Sequence, residues 1–167
     1  MKINILDLEF SNDHYYLQNK SIVERVTFNN RTFYSKFEKI NTVLTPILLK
    51  QHQENEITLA VSLVEKEDIV NYIVIEYHQE DWSQFYSLVK HLLKSLSIKE
   101  FTCYRNAKKE LFQLFIPRSK LALNSAYKEV ETLKHHLELK SKKSYKIYPN
   151  IHLPKDYNII TLPMEKI

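Results

Sequence analysis

Glu76 and His78 stand two residues apart at the end of an apolar run, so strand alternation would point both side chains to one face. A carboxylate beside an imidazole can share a proton or hold a divalent ion. Asp81 follows closely enough to join them, and Glu76, His78 and Asp81 form the candidate catalytic set of a metal-dependent nucleotidyl- or phosphoryl-transfer enzyme. The plainer reading leaves Glu76 and His78 at a frayed strand end in water, beside Glu80 and Asp81.

A second constellation is basic and aromatic. Tyr104 and Arg105 precede Lys108 and Lys109, while Lys142 and Lys143 precede Tyr145, Lys146 and Tyr148. Cations that track phosphates, interleaved with rings that stack on bases, are what a nucleic-acid-binding surface requires. Solvated lysines explain the same pattern. His135 and His136 are adjacent on a helix, hence about 100° apart, and cannot chelate one ion as an i,i+4 pair would. With a single cysteine and no H-x-x-x-H spacing, no structural zinc site and no cofactor are expected. Cys103, flanked by Phe101, Thr102 and Tyr104, reads as a small buried hydrophobe rather than a nucleophile. Asp13-His14-Tyr15-Tyr16 mixes polar and aromatic groups as a pocket wall does, but the ordinary setting of such a stretch is a surface loop or edge strand.

Other chemistries are excluded by composition. The 167 residues contain no glycine, where average usage would supply about 12. A phosphate-cradling P-loop, a dinucleotide-binding G-x-G-x-x-G, a G-x-S-x-G nucleophile elbow and the RNA-recognition signature all need glycine for close backbone approach or positive φ. Asparagine, the next most tolerant of left-handed backbone, occurs 12 times, and Asn29, Asn30, Asn106 and Asn150 fall where turns are wanted. Charge is uneven: residues 99–167 carry 14 Lys+Arg against 7 Asp+Glu, whereas residues 1–98 carry 10 against 13, which distributes the net +4 toward the C-terminal half. That basic half suits nucleic acid or an acidic protein.

The elements that must position these groups follow from periodicity. Ile22 to Phe37 reads as a hairpin on Asn29-Asn30, which pairs Val26 with Phe33 and Ile22 with Phe37. Residues 38–55 read as a loop or as a short helix after Pro46. Ile57, Leu59, Val61 and Leu63 alternate with Thr58, Ala60 and Ser62, a half-buried strand. Val70 to Tyr77 is apolar on both faces except at Glu76, so it should be central. Asp81 can cap a helix with Trp82, Phe85, Val89, Leu92 and Leu96 on its apolar side. A second hairpin joins Phe101–Tyr104 to Leu111–Ile116 and stops at Pro117; a second helix runs from about Leu121 to Leu139; short strands follow at Tyr145–Tyr148 and Tyr157–Leu162.

Residues 70–162 therefore spell β-α-β-β-α-β. The expected fold class is α+β: a ferredoxin-like core, mainly antiparallel with two helices on one face, preceded by N-terminal β-hairpins over residues 1–64 in one domain of 1–167. A single cysteine fits a reducing, cytoplasmic setting, and the longest stretch free of charge, residues 40–49, is too short to span a membrane.

Two resemblances rest on these residues. Asp13-His14-Tyr15-Tyr16, with Val23 to Phe28 and Arg31 to Glu38, resembles a family of small uncharacterised epsilonproteobacterial proteins, and implies no activity. Val70 to Tyr77 through both helices to Tyr148-Pro149 and Leu162-Pro163 looks like the core of archaeo-eukaryotic-type primases, which carry an acidic pair at a core strand end. The matching place is Glu76-Tyr77-His78. The S-x-H motif and third carboxylate of those enzymes have no counterpart between Phe101 and Pro117, so the resemblance implies a noncatalytic relative. The expected function is thus a noncatalytic binding domain that contacts nucleic acid or an acidic protein; the alternatives are the enzyme and a homodimer without ligand.

Overall fold

In the computed structural model, which describes residues 2–141 and 144–167, the apolar run before Glu76 becomes a nine-residue inner strand. The elements in chain order are β1 (Lys2–Ile5), β2 (Leu8–Ser11), β3 (Tyr15–Gln18), β4 (Glu24–Phe28), β5 (Arg31–Ser35), β6 (Phe37–Ile40), α1 (Pro46–Gln53), β7 (Leu59–Ser62), β8 (Val64–Glu65), β9 (Ile69–Tyr77), α2 (Trp82–Ser95), β10 (Thr102–Asn106), β11 (Leu111–Ala122), α3 (Leu123–Lys140), β12 (Lys146–Tyr148), β13 (Ile159–Thr161) and β14 (Glu165–Lys166). The molecule is mixed α+β with antiparallel strand pairing. The chain divides into two units, one of residues up to Glu65 together with 151–162, the other of residues 66–150 with 163–167. No helix among the described residues is long and apolar enough to cross a membrane.

The second unit is a sheet in the order β12-β9-β11-β10-β14 with two helices. Phe112 pairs with Tyr77, Leu114 with Ile75 and Ile116 with Ile73, so these six side chains share one face. That is the face the helices cover: Phe85, Val89, Leu92 and Leu93 of α2 and Val130, Leu133 and Leu137 of α3 join it in one buried cluster. A run apolar on both faces does not mark which one the helices cover, and burial decides it. Trp82 is only half-buried, so the anchor of α2 is Phe85, stacked on Tyr77 at 4.1 Å, and not the tryptophan.

Strand β11 does not stop at Pro117. It continues to Ala122 through a register shift between Pro117 and Leu121, because a bulge tolerates a residue that cannot donate to the ladder. Lys120 takes φ 48° there and its N–H bonds the Asn71 side chain at 3.0 Å.

The first unit holds an antiparallel sheet in the order β13-β7-β3-β6, the hairpins β1–β2 and β4–β5, and α1. Asn29 and Asn30 both have positive φ and set the Val26–Phe33 register as their spacing predicts. The pairing does not reach Ile22: the ladder ends at Glu24–Ser35, and Phe37 pairs with Gln18 instead. Strand β7 is an inner strand between β13 and β3, and Leu59, Ala60 and Val61, whose side chains alternate between its two faces, are all buried; the half-buried expectation is corrected. Tyr15 and Tyr16 belong to an inner strand, not to a loop or edge. The ambiguous stretch 38–55 holds α1, whose N-cap Thr45 accepts from the Leu48 N–H at 3.4 Å.

The missing glycines are replaced more broadly than by asparagine. Among the described residues nine take positive φ, and they include Leu6, Glu67, Ser97, Glu110 and Lys120 beside Asn29, Asn30 and Asn55. Asn106 is not one of them: its side chain caps the 3-10 turn Ala107–Lys109, and Glu110 takes the left-handed conformation at φ 51°.

Candidate functional site

Strand register in the second unit sets Lys146, Glu76, Gln113 and Tyr104 side by side on four strands, on the face opposite the helices. Glu76 is buried, which corrects the expectation of a solvated strand end. Its Oε2 accepts from Gln113 Nε2 at 2.8 Å, and its Oε1 lies 4.0 Å from His78 Nε2. Burial pushes the Glu76 carboxyl up to about 6, against the opposing pull of the Gln113 hydrogen bond and the Lys146 charge. His78 is lowered by desolvation and by Lys146, so the pair is not an ion pair at neutral pH. Tyr148 is raised by burial and by the Glu76 charge. The arrangement can hold a proton on Glu76 in mildly acidic solution.

Asp81 does not join it. Tyr77 points to the opposite face from Glu76, and its hydroxyl donates to Asp81 Oδ1 at 2.6 Å. Asp81 occupies the N-cap position of α2 without capping it by side chain, since its carboxylate is drawn to that hydroxyl. Burial, then Asp81, raises Tyr77 to about 12. The sheet thus separates the carboxylates of the candidate catalytic set, and among the described residues no three His, Cys, Asp or Glu side chains come together as a metal site would require. Beside Asp81 lies a cavity of about 280 Å³ lined by Gln84, Phe85, Leu88 and Lys140.

The basic candidates divide. Tyr104 is fully buried, its ring edge-on to Phe115 at 5.5 Å, and offers no face to a base. Arg105 lies over the Trp82 ring at 5.0 Å, with one guanidinium nitrogen enclosed and without a hydrogen-bond partner, so a cation–π contact holds it. Lys108 and Lys109 are exposed on the 3-10 turn, where partial burial lowers Lys109, and Lys146 is exposed on β12. Lys142 and Lys143 lie outside the described residues. Pairing of Asn106 with Leu111, Phe112 with Tyr77 and Glu76 with Lys146 puts the Lys108–Lys109 turn, Arg105, His78 and Lys146 at one end of this sheet.

Periodicity alone does not find three features. Gln113 reads as one more strand residue until register places it opposite Glu76. The Arg105–Trp82 contact joins residues distant in sequence and leaves no local signal. His52, in the first unit, is buried on α1, its Nδ1 accepting from the Leu59 N–H at 3.0 Å and its Nε2 3.0 Å from the Leu162 carbonyl. Cys103 is buried, and burial pushes its thiol up to about 11.

Residues 1–72 match the family model described as a domain of unknown function (DUF1882). No curated protein matches the chain.

Proposed function

We propose that the chain is a noncatalytic interaction domain whose second unit contacts nucleic acid through its basic sheet end. The observation that carries this reading is that the Lys108–Lys109 turn, Arg105 on the helix-covered face and Lys146 on the opposite face all lie at one end of the sheet. Burial of Tyr104, Gln113 and Glu76 argues against bases stacking across the sheet. Contact with the phosphate backbone by exposed lysines is the mode that remains.

The strand order, with the first and third strands of β-α-β-β-α-β adjacent and the fourth beside the first, supports a ferredoxin-like reading of this unit. A primase-like enzyme would need its carboxylates on one face; the opposed Glu76 and Asp81 favour the noncatalytic relative. The stretch 13–38, which resembles the epsilonproteobacterial family, falls inside the matched residues 1–72 and supports that kinship. A buried lone thiol suits a cytoplasmic setting.

Fluorescence anisotropy of a labelled single-stranded oligonucleotide tests the proposal. Three lysine–phosphate contacts give a slope of log K against log salt of about −2, and the pair Lys108→Ala, Lys109→Ala reduces its magnitude by about 1.4. Binding that is undetectable at low salt, or salt-independent, overturns it; undetectable binding with a dimer in sedimentation would instead favour the ligand-free homodimer.

A further inference from the structure

The first unit encloses a cavity of about 200 Å³, smaller than the roughly 300–1,000 Å³ of drug-sized sites. Its walls combine aromatic and acidic groups. Tyr16, Tyr157 and Phe37 supply rings, and Glu24 and Asp156 supply carboxylates. Tyr16 is buried while Glu24 and Asp156 are exposed, so the carboxylates sit at the open side and the rings toward the floor. The parts come from distant stretches: Tyr16 from β3, Glu24 from β4, Phe37 from β6, and Asp156 and Tyr157 from the segment before β13.

Neither carboxylate has an ion partner among the described residues. The Tyr157 hydroxyl is enclosed, and it is raised by burial first and then by the neighbouring Glu24 carboxylate. The Tyr16 hydroxyl has only a 3.5 Å contact to the Asp156 carbonyl. Lys39 is the cation on this lining, and it is exposed. Negative rings and uncompensated carboxylates around one small cavity attract the same kind of group.

We infer that this cavity binds a small organic cation, an alkylammonium group, with the rings of Tyr16, Tyr157 and Phe37 against its alkyl surface and Glu24 and Asp156 facing its charge. A field of the required sign already acts on the lining: after burial itself, the charges of Asp156 and Glu24 raise Tyr16, which reaches about 12. The site is independent of the nucleic-acid reading, because every lining residue belongs to the first unit.

The test uses the full chain and tetramethylammonium chloride, titrated against sodium chloride at equal ionic strength and followed by amide chemical shifts. Saturable shifts confined to the lining residues are expected with tetramethylammonium and not with sodium. Glu24→Gln with Asp156→Asn weakens binding by about tenfold. Both residues are exposed, so amide signals remote from the cavity stay in place and report an intact fold. Lys39→Met removes the opposing charge and strengthens binding several-fold, an arm that leaves both carboxylates intact. Identical shifts with sodium overturn the inference, as does an affinity unmoved by the paired substitution, or a Lys39→Met variant that binds more weakly.

Discussion

The first unit buries a histidine whose two ring nitrogens both meet backbone groups, whereas the second buries a carboxylate that its neighbours satisfy only in part. His52 spans the Leu59 N–H and the Leu162 carbonyl, so α1, β7 and the chain after β13 are held by one neutral ring. Because Nδ1 accepts from an N–H, the proton rests on Nε2, which donates to the carbonyl. Glu76 has one side-chain donor, Gln113, and burial leaves it raised to about 6. Equal burial therefore serves opposite ends: in one unit a polar side chain completes the backbone hydrogen bonding, and in the other it stores a proton-dependent cost.

Four substitutions break or sharpen that contrast. The largest effect belongs to His52→Ala, which deprives two buried backbone groups of their partner and leaves a cavity, a loss of about 3 kcal/mol in urea unfolding. A loss under about 1 kcal/mol would show that the ring is not the clamp its geometry describes.

Glu76→Gln comes next and has the opposite sign. The folded carboxyl at about 6 stands above its ordinary 4.5, so the stability Glu76 contributes is fully present below that ordinary value and is lost as pH rises through about 6. The difference between about 6 and 4.5 corresponds to about 2 kcal/mol. Glu76→Gln should thus stabilise the protein by about that amount at neutral pH and change little near pH 4, as urea midpoints at the two values would show. Stabilisation that is the same at both would remove the proton from the explanation.

The smallest effect is common to both units. Leu6 and Glu110 are exposed and take φ of 55° and 51°, where a Cβ costs about 1 kcal/mol. Leu6→Gly and Glu110→Gly should each raise the thermal midpoint by a few degrees. A gain in one unit alone would mean that the strain is set by packing rather than by local backbone sterics.

Much of the second unit was legible before its coordinates. The continuous apolar runs at Val70–Tyr77 and Leu111–Ile116 identify its paired inner strands, and the spacing of Phe85, Val89 and Leu92 identifies the covered face of α2. The first unit was harder to read. Its strands are short, β13 arrives from residues 159–161 rather than extending the second sheet, and Asp156 and Tyr157 reach Tyr16 and Glu24 across more than 120 positions. The candidate catalytic set failed for a related reason: closeness in sequence suggests that Glu76 and Asp81 cooperate, but Tyr77 carries Asp81 to the other face of the sheet.

By itself, the amino-acid sequence determined which chemistries are barred for want of glycine, which runs form strands and helices, and where positive charge accumulates, because sterics, periodicity and composition act over a few residues. Tertiary structure alone decided that Gln113 lies beside Glu76, that Tyr104 is buried, that His52 joins two backbone groups, and that rings and carboxylates close around one cavity. Each of those depends on strand register and on segments distant along the chain, and no local pattern records which residue a folded backbone will bring opposite another.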